Sequence, residues 1–476
     1  MQSPSFTGGI GAALEKIREC VGDAGWIDDA GAMAPYLDEQ RGLYRGAAAA
    51  VVCPANTAEV SQVLALCNDA GIGVVPQGGN TGLCGGAVAT GDQIILSLRR
   101  MRQLRALDPV NRTITVEAGC ILAEIQQTAS DEGLLFPLSL AAEGSCQIGG
   151  NLATNAGGTN ALRYGIARDL ALGLEVVLAN GDVWDGLSSL KKDNTGYDLR
   201  DLFIGSEGTL GIITAAVLRL FPQPGDVQTA LVAVENVEQA LAVLGRMQDA
   251  SDGRVSACEL MSATSVGFAA RHIPDCRAPF DPAPPWVVLL ELSGGRRVGE
   301  LRPLFDAVLE EALDAGEISD AVIAESQTQA AALWRLRESI PEAQKHEGGS
   351  IKHDVSVPVS SVPEFLRRAI PAVEALLPGA RVCPFGHLGD GNIHFNVSQP
   401  FGAETPAFLA EWERCNRVVH DIVVALHGSF SAEHGIGRLK TTELAHYKSP
   451  VAVQAMRQIK LALDPRGILN PGAVLA

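Results

Sequence analysis

Hydrophobic positions along this chain switch repeatedly between the period of a strand and the period of a helix. Between Ala48 and Val75 a short apolar run, Ala49–Val52, is followed by Val60, Val63, Leu64 and Cys67, which share one helical face, and then by Val74–Val75. Asn56 and Glu59 stand at capping-box spacing ahead of that face, and Gly71 ends it, so the stretch predicts a β-α-β unit. A helix is expected before it, near Ala12–Val21. Strands are expected at Ile94–Leu98 and Thr113–Ala118, and a helix over Leu122–Glu132. Glu175–Ala179 and Asp182–Trp184 flank Asn180-Gly181, a pair suited to a primed hairpin turn, and Ala215–Leu220 is a further strand. Phe221-Pro222-Gln223-Pro224-Gly225 reads as a domain boundary. Beyond it the alternation resumes, with strands at Thr229–Val234, Val255–Leu260, Val287–Leu292 and Ile351–Pro358 and helices over Val237–Met247 and Glu300–Leu313. No internal repeat is present. The pattern is α+β.

Length and charge narrow the picture. At 476 residues the chain exceeds one hydrophobic core and predicts two or three domains. Acids outnumber Lys and Arg by 55 to 37, a net charge of −18, which argues against nucleic-acid binding. An anionic substrate would have to be gathered by cations inside a pocket. The ten cysteines contain no C-x-x-C, the first eleven residues lack the basic start and apolar core of a signal peptide, and no apolar run reaches membrane-spanning length. A reduced, cytoplasmic protein is expected.

Three Gly-rich segments carry the first chemical signal. Pro76-Gln77-Gly78-Gly79-Asn80-Thr81-Gly82-Leu83 follows a strand and can expose successive backbone N–H groups, a nest for phosphate oxygens. It is neither a Walker loop nor G-x-G-x-x-G. Gly9-Ile10-Gly11 and Gly435-Ile436-Gly437 lack the third glycine and the preceding strand of that fingerprint. The run from Gly144 to Gly158 is small enough throughout for backbone to approach a large flat ligand, and Gly205 to Thr214 forms the third segment.

The second signal is a histidine pair. His387 and His394 flank Leu388-Gly389-Asp390-Gly391, whose glycines predict a turn that lets both imidazoles converge. Glu433-His434 follows in another Gly-rich loop. Two histidines and a carboxylate suit a divalent metal with open positions, while loop histidines are as often plain polar surface residues. The motif alone leaves both open.

Together, P-Q-G-G-N-T-G-L, G-G-N-x-A-T-N-A-G-G and G-S-E-G-T-L-G-I-I-T resemble the FAD domain of the vanillyl-alcohol-oxidase-like flavoproteins, and the second half resembles their D-2-hydroxyacid dehydrogenase branch. The resemblance spans about Ala48 to Pro471, with the motifs in family order. It implies a two-subdomain FAD-binding fold over 1–224, an α+β, ferredoxin-like substrate or cap domain over 225–425, and a helical C-terminal segment over 426–476 that returns to the FAD domain. In flavoproteins of this fold a His or Cys makes any covalent link; none of the three segments contains a histidine, although Cys84 and Cys146 are present, and FAD is expected to be noncovalent. Its contacts would be Pro76, Gly78, Gly79, Asn80, Thr81, Gly82 and Leu83, then Gly144, Ser145, Gly149, Gly150, Ala153, Thr154, Asn155 and Gly158. Glu207, Gly208, Gly211, Ile212 and Asn470 complete the set.

The resemblance also implies a metal on His387, His394 and Glu433, with zinc first and manganese, iron or cobalt able to share the ligands. His434 would be the general base, and Arg337, Lys352 and Asn396 would hold the substrate. The family's 2-hydroxyglutarate members carry a hydroxyl residue four positions after the Arg, where this chain has Pro341. The implied reaction is oxidation of a D-2-hydroxy acid, D-2-hydroxyglutarate first, by hydride transfer to flavin N5. The alternatives are a D-lactate dehydrogenase, a glycolate oxidase-like enzyme, or a non-catalytic FAD-binding subunit of a larger oxidase. The electron acceptor would be an electron-transfer flavoprotein or a quinone, and the assembly a homodimer.

Overall fold

A computed structural model describes residues 8–295 and 297–475. The chain divides into two compact units, one of Met1–Gly158, Ile166–Pro222 and Glu433–Ala476, the other of Thr159–Gly165 and Gln223–Ala432.

The first unit contains two main sheets. One holds β1 (Trp26–Ile27), β2 (Ala50–Val52), β3 (Val74–Gln77) and β4 (Ile94–Ser97) in the order β1-β2-β4-β3. Both β2 and β3 run parallel to β4, which inserts between them, so the expected β-α-β unit is completed by the next strand along the chain. Its helix, Thr57–Ala70, begins where Asn56 Oδ1 accepts the Glu59 N–H at 3.0 Å and the Glu59 carboxylate accepts the Ala55 N–H at 2.7 Å. Val60, Val63, Leu64 and Cys67 are fully buried, and left-handed Gly71 stops the helix.

The other sheet is antiparallel: β5 (Leu104–Asp108), β6 (Thr113–Glu117), β8 (Ala171–Val177), β9 (Val183–Gly186) and β10 (Ile212–Arg219), ordered β5-β6-β10-β8-β9. A minor ribbon pairs β7 (Leu134–Leu135) with β11 (Phe221–Pro222). The β8–β9 connection corrects the expected primed turn. Of Asn180 and Gly181 only the glycine is left-handed, and its N–H bonds the Leu178 carbonyl at 2.9 Å. A three-residue loop closing on a left-handed glycine matches strand twist equally well. After the Pro450–Leu463 helix the chain returns to β3, where Val74 N–H bonds Ile468 O and Asn470 N–H bonds Val74 O, both at 2.8 Å.

The second unit is built on one antiparallel sheet. Its strands are β12 (Asp226–Val234), β13 (Val255–Ser262), β14 (Trp286–Gly294), β15 (Asp320–Ile323), β16 (Ser350–Ile351), β17 (Asp354–Ser356), β18 (Arg381–His387) and β19 (Asn392–Ser398). The order is β15-β12-β14-β13-β18-β19-β16, with β17 also on β19. The first four strands have the ferredoxin-like order, and the β18–β19 hairpin widens it. Helices Val237–Ser251, Arg302–Asp314, Val362–Leu376 and Trp412–Ala425 bury one face, including Val288, Leu290, Ile393 and Phe395. Helices Ala263–His272, Gln327–Glu338 and Ile340–Lys345 bury the other, including Val287, Leu289, Met261 and Phe385. Burial on both faces is why Val287–Leu292 reads as a nearly continuous apolar run and not as an alternation.

Two element boundaries are corrected here. The Ile351–Pro358 strand is split: β16 and β17 keep one register on β19 but break at Lys352-His353, because the Phe395 carbonyl bonds the His353 ring at 2.7 Å. The Glu300–Leu313 helix begins only at Arg302, with Pro303 in its first turn, where a missing N–H costs nothing. Among the described residues no helix is long and apolar enough to cross a membrane.

Candidate active site

The first unit holds a solvent-open cleft with about 1010 Å³ of empty space. Pro76 and Gly78 to Leu83 form one wall, Gly149, Gly150, Ala153 and Thr154 a second, and Glu207, Gly208, Gly211 and Ile212 a third. The three Gly-rich segments therefore meet, although 129 residues separate Gly79 from Gly208 in the sequence. Close backbone approach explains their composition. A Cβ on Gly79 would lie 2.2 Å from the Ser145 carbonyl oxygen, and one on Gly149 2.7 Å from the Ala118 Cβ. Asn80 takes a left-handed φ of +54°, and its Nδ2 donates to the Asp38 carbonyl at 2.8 Å, which pins the first loop.

Five of the expected flavin residues do not line this cleft. Gly144 is exposed, Ser145 backs Gly79, and Asn155 Oδ1 accepts the Arg168 N–H at 3.0 Å. Gly158 N–H approaches Glu433 Oε2 at 3.4 Å, and Asn470 Nδ2 donates to the Gly86 and Glu207 carbonyls at 2.9 Å each. Apart from Gly144, these residues make their contacts behind the cleft lining. Among the cleft residues outside the expected flavin set, Gln147 and Asn151 are buried, and Gln147 Oε1 and Asn151 Oδ1 have no hydrogen-bond partner. Orphaned buried acceptors need donors, and a flavin with its ribityl chain offers N–H and hydroxyl groups. Their signal in the sequence was long polar side chains inside a run of small residues. His434 also lines the cleft, 3.9 Å from Glu433 Oε1.

The second unit brings the histidine pair together. His387 ends β18 and His394 lies in β19; the turn between them sets their rings 5.6 Å apart, both largely buried. Cross-strand pairing puts His387, Asn392, His394 and Asn396 on one sheet face, while Ile393, Phe395 and Val397 fill the core beneath. His394 Nδ1 lies 3.9 Å from Asp354. Asn396 is a mid-strand residue whose Nδ2 donates to Gln344 Oε1 at 2.9 Å, and Gln344 in turn donates to Ser398 at 3.0 Å.

Glu259 organises this face and was not visible in the sequence. It pairs directly across from His387 on β13, is 1% exposed, and bonds His387 Nδ1 at 2.7 Å. Its other oxygen accepts Arg337 Nε at 2.7 Å, and the Arg337 guanidinium lies 4.9 Å over the Phe385 ring. Burial raises the Glu259 pKa, but His387 and Arg337 outweigh it and hold the group at about 2. Arg337 is thus part of a buried Arg–Glu–His chain, with only its terminal N–H groups left for a substrate. Lys352 stands half-buried in the β16–β17 break, where its charge reaches Cys383, the cross-strand partner of Asn396. Pro341 sits in the first turn of the Ile340–Lys345 helix, where the fold tolerates it.

Residues 48–186 match the FAD binding domain family, and residues 223–474 match FAD linked oxidases, C-terminal domain. Fold and cleft thus define an FAD-linked oxidoreductase. The chain is 37% identical over 480 residues to the mitochondrial D-2-hydroxyglutarate dehydrogenase of Arabidopsis thaliana, covering 100% of this chain and 83% of that protein. It is 39% identical to the Bos taurus mitochondrial enzyme (93% and 79% covered) and 34% identical to that of Stutzerimonas stutzeri strain A1501 (98% and 99%). The chain belongs to the family of these D-2-hydroxyglutarate dehydrogenases. Its fold is also that of p-cresol methylhydroxylase, with TM-score 0.78 at 18% identity over 100% of this chain and 98% of that one. A 4-ethylphenol oxidase from Gulosibacter chungangensis superposes with TM-score 0.74, also at 18% identity, over 100% and 99%. The vanillyl-alcohol-oxidase-type α+β fold expected from the resemblance is therefore present.

Proposed function

We propose that this enzyme oxidises D-2-hydroxyglutarate to the 2-oxo acid, with the first unit holding FAD noncovalently and the second holding the substrate. The observation that carries the reading is the sequence identity to D-2-hydroxyglutarate dehydrogenases along essentially the whole chain. Pro76, Gly78 to Leu83, Gly149, Gly150, Ala153, Thr154, Gly208, Gly211 and Ile212 would hold the flavin. Bound FAD supplies the hydride acceptor. Burial raises the Cys146 pKa, which argues against a covalent link through that cysteine. On the overpacking scale, Gly79→Ala is expected to weaken FAD binding by about 1–3 kcal/mol, roughly tenfold to hundredfold. Flavin absorbance per mole of purified protein is the check.

A divalent cation on His387, His394 and Glu433, zinc first, would supply a Lewis acid for the substrate hydroxyl. The bond from Glu259 to His387 Nδ1 supports this, since it leaves Nε2 as the ligand atom and makes the ring a better donor. Asp354 beside His394 is a further carboxylate at the same face. His434 would take the hydroxyl proton, while Arg337, Lys352 and Asn396 hold the substrate. A chelator is expected to abolish turnover and leave FAD bound; undiminished turnover would remove the metal from the proposal.

D-lactate is the second reading, favoured by Pro341. Arg337→Ala separates the two poorly, because it would strip buried Glu259 of its partner. Lys352→Ala is cleaner. Loss of one charge-assisted hydrogen bond should lower kcat/KM for D-2-hydroxyglutarate roughly tenfold to hundredfold and leave D-lactate nearly unchanged. Equal losses on both acids would place Lys352 on the carboxylate the two acids share and remove it from distal recognition. An electron-transfer flavoprotein or quinone as acceptor and a homodimer complete the proposal. The cytoplasmic expectation broadens to a reducing compartment, in keeping with ten free cysteines, and the Arabidopsis and bovine relatives bear the name mitochondrial.

A further inference from the structure

We infer that Glu207 is a positioning residue, whose carboxylate clamps the loop carrying Glu433 and His434 against the wall of the cleft. The inference rests on the base role proposed for His434. Glu207 belongs to the third Gly-rich segment, where flavin contact is the obvious expectation. Both carboxylate oxygens are instead committed to the 435–437 loop: Oε1 accepts the Ile436 N–H and Oε2 the Gly437 N–H, each at 2.7 Å. The residue that supplies them is itself tightly held. Its φ is +52°, a strained value for a residue with a Cβ. Its N–H bonds the Ala153 carbonyl at 2.8 Å, and its own carbonyl accepts Asn470 Nδ2 at 2.9 Å.

The loop has little freedom elsewhere. The Cys84 carbonyl accepts the Arg438 N–H at 2.9 Å, and the Cys84 thiol lies 3.5 Å from the Gly435 carbonyl. On the other side a Cβ on Gly157 would come within 2.6 Å of Glu433 Oε2, so this carboxylate rests on bare backbone. The Gly435-Ile436-Gly437 stretch that faintly resembles a nucleotide fingerprint thus has a different explanation: its amides receive a carboxylate from the same chain. A clamp on two consecutive amides fixes the backbone two residues beyond His434. It governs where the imidazole stands without touching substrate.

Glu207→Gln is the test, because glutamine keeps the volume but sets an NH₂ against one of the two N–H donors. Amide hydrogen exchange of the 433–438 segment should accelerate at Ile436 and Gly437, with FAD content and flavin absorbance spectrum unchanged. With D-2-hydroxyglutarate, kcat should fall roughly tenfold to hundredfold, the value of one charge-assisted hydrogen bond, with KM little altered. Gly435→Ala attacks the same contact from the loop side, since its Cβ would lie 2.7 Å from Glu207 Oε1, and should reproduce the phenotype if the first variant does not fold. Unchanged exchange in the folded variant, or faster exchange with kcat intact, would overturn the inference, as would loss of FAD with exchange unchanged. If the wild-type enzyme turns over no D-2-hydroxy acid the functional proposal fails, and the exchange measurement still decides the clamp.

Discussion

Glu259→Ala is expected to destabilise the second unit by about 3–5 kcal/mol, because it leaves Arg337 buried at 6% exposure without its counter-charge. For a unit of this size that lowers the melting temperature by roughly 10 °C or more. Replacing both partners with apolar residues, as in Glu259→Leu with Arg337→Met, should recover much of the stability, since the dominant cost is an unpaired buried charge. It should not recover turnover, because His387 loses the bond that orients it. The carboxylate also makes the fold acid-sensitive. Its pKa drops from 4.5 to about 2, so its stabilising contribution is fully present above pH 4.5 and is lost as the pH falls through about 2. Denaturant unfolding at a series of pH values, wild type against Glu259→Ala, should show the gap between the two closing over that window.

His434→Asn is expected to slow substrate oxidation by a factor of about 10²–10⁴, the usual range for removing a general base. FAD content and fold should be preserved, because the amides of residues 436–438 hold the loop. Rapid-mixing measurement of flavin reduction isolates the step. A variant that reduces flavin at the wild-type rate would remove His434 from proton transfer and leave it as a cleft wall residue.

The parts of this molecule legible in sequence were those written locally. Asn56 and Glu59 foretold a helix start, Gly71 a helix stop, and Leu388-Gly389-Asp390-Gly391 a turn that brings two histidines together. The Gly-rich segments were legible because close backbone packing leaves no alternative residue at Gly79 or Gly149. Glu259 was hidden because its meaning comes from pairing with a strand 128 residues away; in sequence it is a single acid inside an apolar run. The insertion of β4 between β2 and β3, and the seating of Glu207 on a loop 229 residues downstream, are likewise products of tertiary pairing. Asn180-Gly181 misled in the other direction: a dipeptide compatible with two turns does not choose between them.

The reaction proposed for this chain passes a hydride from a D-2-hydroxy acid to its flavin. The most direct measurement mixes the purified yellow protein with D-2-hydroxyglutarate without oxygen and follows the flavin absorbance through one turnover. Bleaching at a rate that saturates with substrate, faster than with D-lactate and absent with the L-enantiomer, is the predicted result. A flavin that stays oxidised with every D-2-hydroxy acid tried, in protein that retains FAD and has been supplied with a divalent cation, would contradict it.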